Sequence, residues 1–164
     1  MEEATKKNAQ DRVMSLSCEE LSLIKPGWYW YEDESFSPVL QTEKKLKAVV
    51  VLIEYSTIYG DVFMEEIRSL KETKAFLNAC RKNLGEMVYL PTLKEHIEIG
   101  EHIDEINRAL DRIGNVPLWE GTYMTGTQYS CYQTWIKTHP HGSYGAGYRG
   151  TSYKIRPLIC RSID

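Results

Sequence analysis

Two imidazoles stand one residue apart in "HPH", His139 to His141. A pair at that spacing can begin a metal site, but zinc needs further ligands converging on it. No local Asp, Glu or Cys supplies one, and His96 and His102 do not share a helical face. His139 and His141 therefore read as exposed loop histidines, free to touch a ligand. Cys131 with His139 could pair a thiol nucleophile with its base. However, Cys131 falls in an alternating stretch with no oxyanion-hole turn and no orienting acid nearby, so it reads as a structural cysteine. The four cysteines, Cys18, Cys80, Cys131 and Cys160, form no CxxC pair, which argues against zinc and against a thioredoxin-like site. They read as buried thiols; Cys131 and Cys160 are the two that could pair in an oxidising compartment. "GAGYRG" at 145–150 matches a dinucleotide-binding string. That chemistry needs a strand before the glycines, a helix after them and an acid ~20 residues on. Here a strand follows and the chain ends first, so the glycines read as turn-formers in a surface loop.

Aromatic side chains offer more. Tyr123, Tyr129, Tyr132, Trp135, Tyr144, Tyr148 and Tyr153 crowd one region, interleaved with Ser, Thr and Gly. That mixture resembles a paratope, where rigid amphipathic rings sit between adaptable polar groups. Cross-strand packing consumes part of such a set. Tyr132, Trp135, His139, His141, Tyr144, Tyr148 and Arg149 are the predicted ligand-binding residues, with loop 138–151 as their main carrier. A second aromatic stretch, "WYWYEDESF" from Trp28 to Phe36, reads instead as a hairpin whose rings, Trp28 and Trp30 above all, belong to the core.

The net charge is -3, and Lys and Arg are spread without a basic block. Nucleic acid is thus not an expected partner. The longest apolar run, "AVVVLI" at 48–53, is far short of the ~20 residues a membrane helix needs, so no membrane insertion is expected. The first seventeen residues are polar and contain no apolar h-region, which predicts that they are not a signal peptide.

These residues need a scaffold. A polar lead-in occupies 1–22, and one domain fills 23–164. Pro26-Gly27 marks a turn into the aromatic strand. "KLKAVVVLIEY" reads as a strand covered on both faces, with a partner strand near 62–64. A helix precedes Gly85, and Thr92 with Glu95 forms a capping box that opens a second helix. Ile97 to Ile113 carry its apolar positions, with a break near Gly100. Strands are predicted at 117–125, 128–137 and 152–161. Strands, then helices, then strands make an α+β domain of antiparallel strands with two main helices packed on one side.

Three stretches carry a resemblance: "KPGWYWYEDESFSPVL", "AFLNACRKNLGEMVYLPTLKEHIEI" and "INRALDRIGNVPLW" with the closing "YKIRPLI". Together they resemble the bacterial family named for the Fibrobacter succinogenes major paralogous domain, common in Bacteroidetes, over roughly residues 23–161. "YLPT" with its helix and the "RP" strand are the most specific parts. The sequence departs from the family pattern at "LWEG", 118–121, and at the acidic turn "EDES". The resemblance implies a single C-type-lectin-like domain acting as a non-enzymatic ligand-binding or adhesion module at a cell surface, pilus or virion. Its implied partner is a protein or glycan ligand. The calcium-and-sugar motifs of animal C-type lectins are absent, and no cofactor or metal is expected. Two other readings share the fold. One is a receptor-binding protein of a phage or gut bacterium, diversified by a retroelement. The other is an enzyme of the formylglycine-generating type, for which only Cys131 and Cys160 could supply the reactive cysteine pair.

Overall fold

The computed structural model describes residues 18–114 and 116–162. Most of the polar lead-in read over 1–22 lies outside them; its end forms a short helix, α1 (Cys18–Leu23). The chain then enters a hairpin, β1 (Tyr29–Tyr31) and β2 (Phe36–Ser37), as the aromatic stretch predicts. Long strand β3 (Leu46–Glu54) follows, paired antiparallel to β4 (Thr57–Asp61). The predicted partner strand at 62–64 is thus corrected to 57–61: the chain reverses at once through exposed Tyr55, whose φ is 53°.

Beyond β5 (Glu66–Arg68) comes α2 (Leu70–Leu84), closed by Gly85 in the left-handed region at φ 65°. Short β6 (Val88–Tyr89) leads into the capping box, where the Glu95 N–H donates to Thr92 Oγ1 at 3.2 Å. The Thr92 N–H donates in return to Glu95 Oε1 at 3.1 Å. Helix α3 (Leu93–Glu101) begins there, and α4 (Ile103–Ile113) continues after a break at His102, two residues later than predicted. The last third is all strand: β7 (Gly121–Gln128), β8 (Gln133–His139), β9 (Tyr144–Tyr148), β10 (Tyr153–Ile155) and β11 (Leu158–Ser162).

Two sheets result. One runs β2-β1-β3-β4-β11-β6 and the other β5-β10-β7-β8-β9. Every pairing is antiparallel except β10 with β7. The α+β class predicted from the order of elements is therefore observed. The placement of helices on one side is not. Alternation along β3 explains why: Val49 and Val51 enter a core with Ile99, Ile103 and Ile106, so α3 and α4 cover that face. Ala48 and Val50 enter a second core with Ile24 and Cys80, so the end of α1 and α2 cover the other. A strand buried on both faces needs cover on both.

The opening rings divide in the same way. Tyr29 and Tyr31 join the first core and Trp30 the second, and all three are fully buried. One acid of the turn is withdrawn from solvent: Glu34, itself buried, accepts from the Trp30 indole N–H at 2.9 Å and pairs with Lys47 and Arg161. Trp28 is only partly buried against the second core. Among the described residues, no helix is long and apolar enough to cross a membrane.

Candidate ligand-binding face

The second sheet holds every predicted binding residue or the turns beside it. Loop 138–151 is not a loop throughout. Residues 144–148 form edge strand β9, paired with β8 in the register Gln133↔Tyr148, Trp135↔Ala146 and Lys137↔Tyr144. The role of its glycines as turn-formers is corrected for Gly145 and Gly147, which lie in β9, whereas Gly150 does lie in a turn, closed by the Thr151 N–H donating to the Tyr148 carbonyl at 3.1 Å. None of Gly142, Gly145, Gly147 and Gly150 has a positive φ. Gly147 is instead required by close approach: a Cβ there would sit 2.7 Å from Ile136 Cγ2 and 2.9 Å from the Tyr153 ring. The constraint is lateral room rather than backbone freedom.

Residues 133, 135 and 137 of β8 point to one side of the sheet, as do 144, 146 and 148 of β9. On that side Trp135 lies half-buried between two tyrosines. Its ring centroid is 4.8 Å from that of Tyr129 and 5.9 Å from that of Tyr144, both edge-to-face. Such pairs hold one another's orientation and add to the energy of simple burial. Tyr129, Tyr132, Tyr144 and Tyr148 are exposed, Tyr132 to 76%. The Arg149 backbone N–H donates to the Tyr132 carbonyl at 2.7 Å, fastening the turn after β9 to the turn between β7 and β8. Tyr132, Tyr148 and Arg149 thereby gather at one end of the strand pair. His141 is exposed at the other end, in the turn before Tyr144.

His139 does not belong to this surface. The loop assignment predicts it exposed, yet it is 2% accessible at the end of β8. The reason is again alternation: Lys137 and His139 follow Trp135 on the same side, where α3 covers the sheet. His139 Nε2 lies 3.1 Å from Nδ1 of His96, which is fully buried on α3. One ring donates and the other accepts. Trp119 and Tyr123 pack edge-on to His139. Burial, then the nearby Lys137 ammonium, lowers His139 to about 4. Burial also holds His96 well below the ordinary imidazole range, with His139 and Lys137 adding to the shift. Both rings are neutral at pH 7. Local spacing relates His96 only to His102, and His139 only to Cys131 and His141, so it misses the pair. The available signal is the parity of Trp135, Lys137 and His139, joined to the burial expected beside the Thr92 cap.

Cys131 is likewise not a strand residue. It lies exposed in the turn between β7 and β8 as a free thiol. Cys160 is a free, half-buried thiol on β11, opposite Tyr59, and Cys80 is a free, buried thiol on α2. Among the described residues no group of three His, Cys, Asp or Glu side chains could hold a metal ion.

No protein-family model matches this sequence, and neither does any curated protein.

Proposed function

We propose that this domain is a non-enzymatic ligand-binding module of the C-type-lectin-like type. It engages a protein or glycan on a cell surface through strands β8 and β9, and acts as an adhesion domain of a bacterial surface or pilus-type protein. The observation that carries this reading is the ring cluster of Tyr129, Trp135 and Tyr144, continued by exposed Tyr132, Tyr148 and Arg149 at one end of the strand pair. Rings left on a sheet surface, with one anchored between two others, are the side chains that dominate interfaces, and Arg is the usual companion. His141 extends the face beyond Tyr144, and His139 is withdrawn from it. The formylglycine-generating type of enzyme would need a working cysteine pair. Cys131 and Cys160 are both free, one in the turn between β7 and β8 of the second sheet and the other on β11 of the first, which favours the non-enzymatic reading.

The test replaces Tyr144, Tyr148 and Arg149 together with Ala. The triple variant should keep the wild-type melting temperature and lose binding on a glycan array and on a panel of immobilised surface proteins. Retained binding with an intact fold would place the site elsewhere.

One observation also favours the retroelement-diversified form of this reading. Tyr132, Tyr144, Tyr148 and Arg149 are all exposed, so substitutions there disturb little of the core. A reverse transcriptase gene and a near-copy of the 3′ end beside the coding sequence would support that form; a neighbourhood without them would leave the fixed adhesion module.

A further inference from the structure

The opposite side of the second sheet carries a separate groove. Thr134, next to Trp135 on β8, points away from the ring cluster and into this groove. Helix α2 forms one wall, and the turn between β7 and β8 forms the other. The space is about 570 Å³, within the few hundred to about 1,000 Å³ of small-molecule sites. Its composition is segregated. Leu70, Leu77 and Leu90 supply apolar surface, and the hydroxyls and amides of the β7–β8 segment line the far wall. Lys74 on α2, Arg81 about two turns further along it, and Arg149 after β9 supply three positive charges. Among the described residues, no Asp or Glu lines it.

The charges are also uncompensated. Arg81 is held in place by donating from Nε to the Val88 carbonyl at 2.7 Å and from Nη1 to Asn78 Oδ1 at 2.9 Å, neither of which is a carboxylate. Lys74 and Arg149 make no side-chain hydrogen bond, and none of the three enters an ion pair among the described residues. In a chain whose net charge is -3, most other cations near the core find acids: Lys47, Arg156 and Arg161 all do. Three cations without acids around one concave, partly apolar space form an anion-attracting field, strengthened by the low-dielectric walls.

We propose that this groove is a second binding site, for a small organic anion with an apolar or ring-shaped body. Its charged group would meet Lys74, Arg81 and Arg149, and its body would lie on Leu70 and Leu77. The anionic group is a sulfate ester, a phosphate ester or a carboxylate. The site does not depend on the aromatic face. Arg149 is shared by position alone, so Lys74 is the residue that distinguishes the two.

The probe is 8-anilinonaphthalene-1-sulfonate, an amphipathic anion, with neutral N-phenyl-1-naphthylamine as its uncharged counterpart. The sulfonate should bind the folded protein saturably and bind more weakly as salt is raised. It should also slow alkylation of the native Cys131 thiol, which lines the groove. Lys74→Glu should weaken it roughly five- to tenfold, the scale expected when one exposed charge is replaced by its opposite, while Tyr144→Ala leaves it unchanged. Near-ultraviolet circular dichroism checks that each variant is folded. Glucose 6-sulfate, glucose 6-phosphate and glucuronate, added at millimolar concentration, then compete for the site, and displacement by any one of them names the anionic group. The proposal is overturned if the neutral probe binds as tightly, if Lys74→Glu changes nothing, if Cys131 is not shielded, or if none of the three sugars displaces the sulfonate.

Discussion

His96 and His139 meet in the interior with ring nitrogens 3.1 Å apart, and His96 Nε2 and His139 Nδ1 have no hydrogen-bond partner among the described residues. A protonated ring would therefore sit buried beside Lys137 with its second nitrogen unpartnered. In the unfolded chain both rings take up protons near the ordinary imidazole pKa of about 6.5. In the folded chain His139 does so only at about 4, and His96 is also held low. Between those values the unfolded state binds more protons, so stability rises with pH. The contribution is complete above pH ~6.5 and is lost as pH falls toward about 4. Each ring adds up to about 1.4 kcal/mol of slope per pH unit within that window. Urea unfolding at stepped pH measures the slope, and His139→Gln should flatten it by one ring's share. An unchanged profile in the variant would mean that His139 titrates alike in both states. The pair is not legible in the sequence, since its members are 43 residues apart and belong to different elements. By contrast, the burial of Trp30 is legible, because a WYWY alternation beside a turn requires a sheet position. The role of Glu34 is not, since "EDES" reads only as an acidic turn until Trp30, Lys47 and Arg161 are seen converging on Glu34.

Helix ends and strand parity are the most readable features. The Thr92–Glu95 box and the Gly85 stop are local chemistry, fixed within a turn of helix, and both are present. The central strand is readable for the same reason, as a continuous β-branched run. Strand β9 is not. "YGAGY" lacks the branched residues that mark a strand, and glycine weakens one intrinsically. What makes it a strand is its neighbour: β8 supplies five paired positions, and Gly147 lets Ile136 and Tyr153 close up against it. The two glycines of this strand should therefore respond differently to the same change. Gly147→Ala places a methyl 2.7 Å from Ile136 Cγ2 and 2.9 Å from the Tyr153 ring, and should destabilise by roughly 1–3 kcal/mol through overpacking. Gly145→Ala meets nothing within 4 Å, and should be neutral or gain a few tenths of a kcal/mol from lower chain entropy in the unfolded state. Thermal melts of the two variants decide the matter. Equal losses would show that the strand depends on glycine flexibility rather than on room beside it.

Among the described residues the chain crosses between the two sheets four times, twice through helices and twice directly, and the two direct crossings meet at one buried ion pair. Strand β4 of the first sheet ends at Asp61, and the chain passes through Glu65 into β5 of the second. It returns from β10 to β11 through Arg156. Arg156 Nε lies 2.6 Å from Asp61 Oδ2, and both side chains are wholly inaccessible. The Trp119 indole N–H donates to the same carboxylate oxygen at 2.6 Å, and the Phe63 backbone N–H donates to the other at 2.8 Å. The guanidinium also donates to the Pro117 carbonyl and lies 5.3 Å from the Trp119 ring centre. Glu65, which accepts from the Tyr123 hydroxyl, is a second anion within 3.5 Å of Arg156. Burial pushes the Asp61 carboxyl upward, and the Arg156 charge is the largest force pulling it back. The carboxyl therefore depends on that neighbour to stay ionised. No local pattern reveals this arrangement: "IYGDV" and "YKIRPL" carry ordinary charges, and the meeting of Asp61 with Arg156 is a property of the complete topology. Buried ion pairs respond asymmetrically to mutation, because removing one member strands the other charge away from water. Asp61→Asn and Arg156→Met should each cost about 3–5 kcal/mol. The double variant should cost less than the sum of the two, because it leaves no uncompensated charge in the core. Urea denaturation of the four proteins closes the cycle. If the losses simply add, Asp61 and Arg156 stabilise their own crossings independently, and the sheets are held together by the aromatic core around Trp119 and Tyr123 alone.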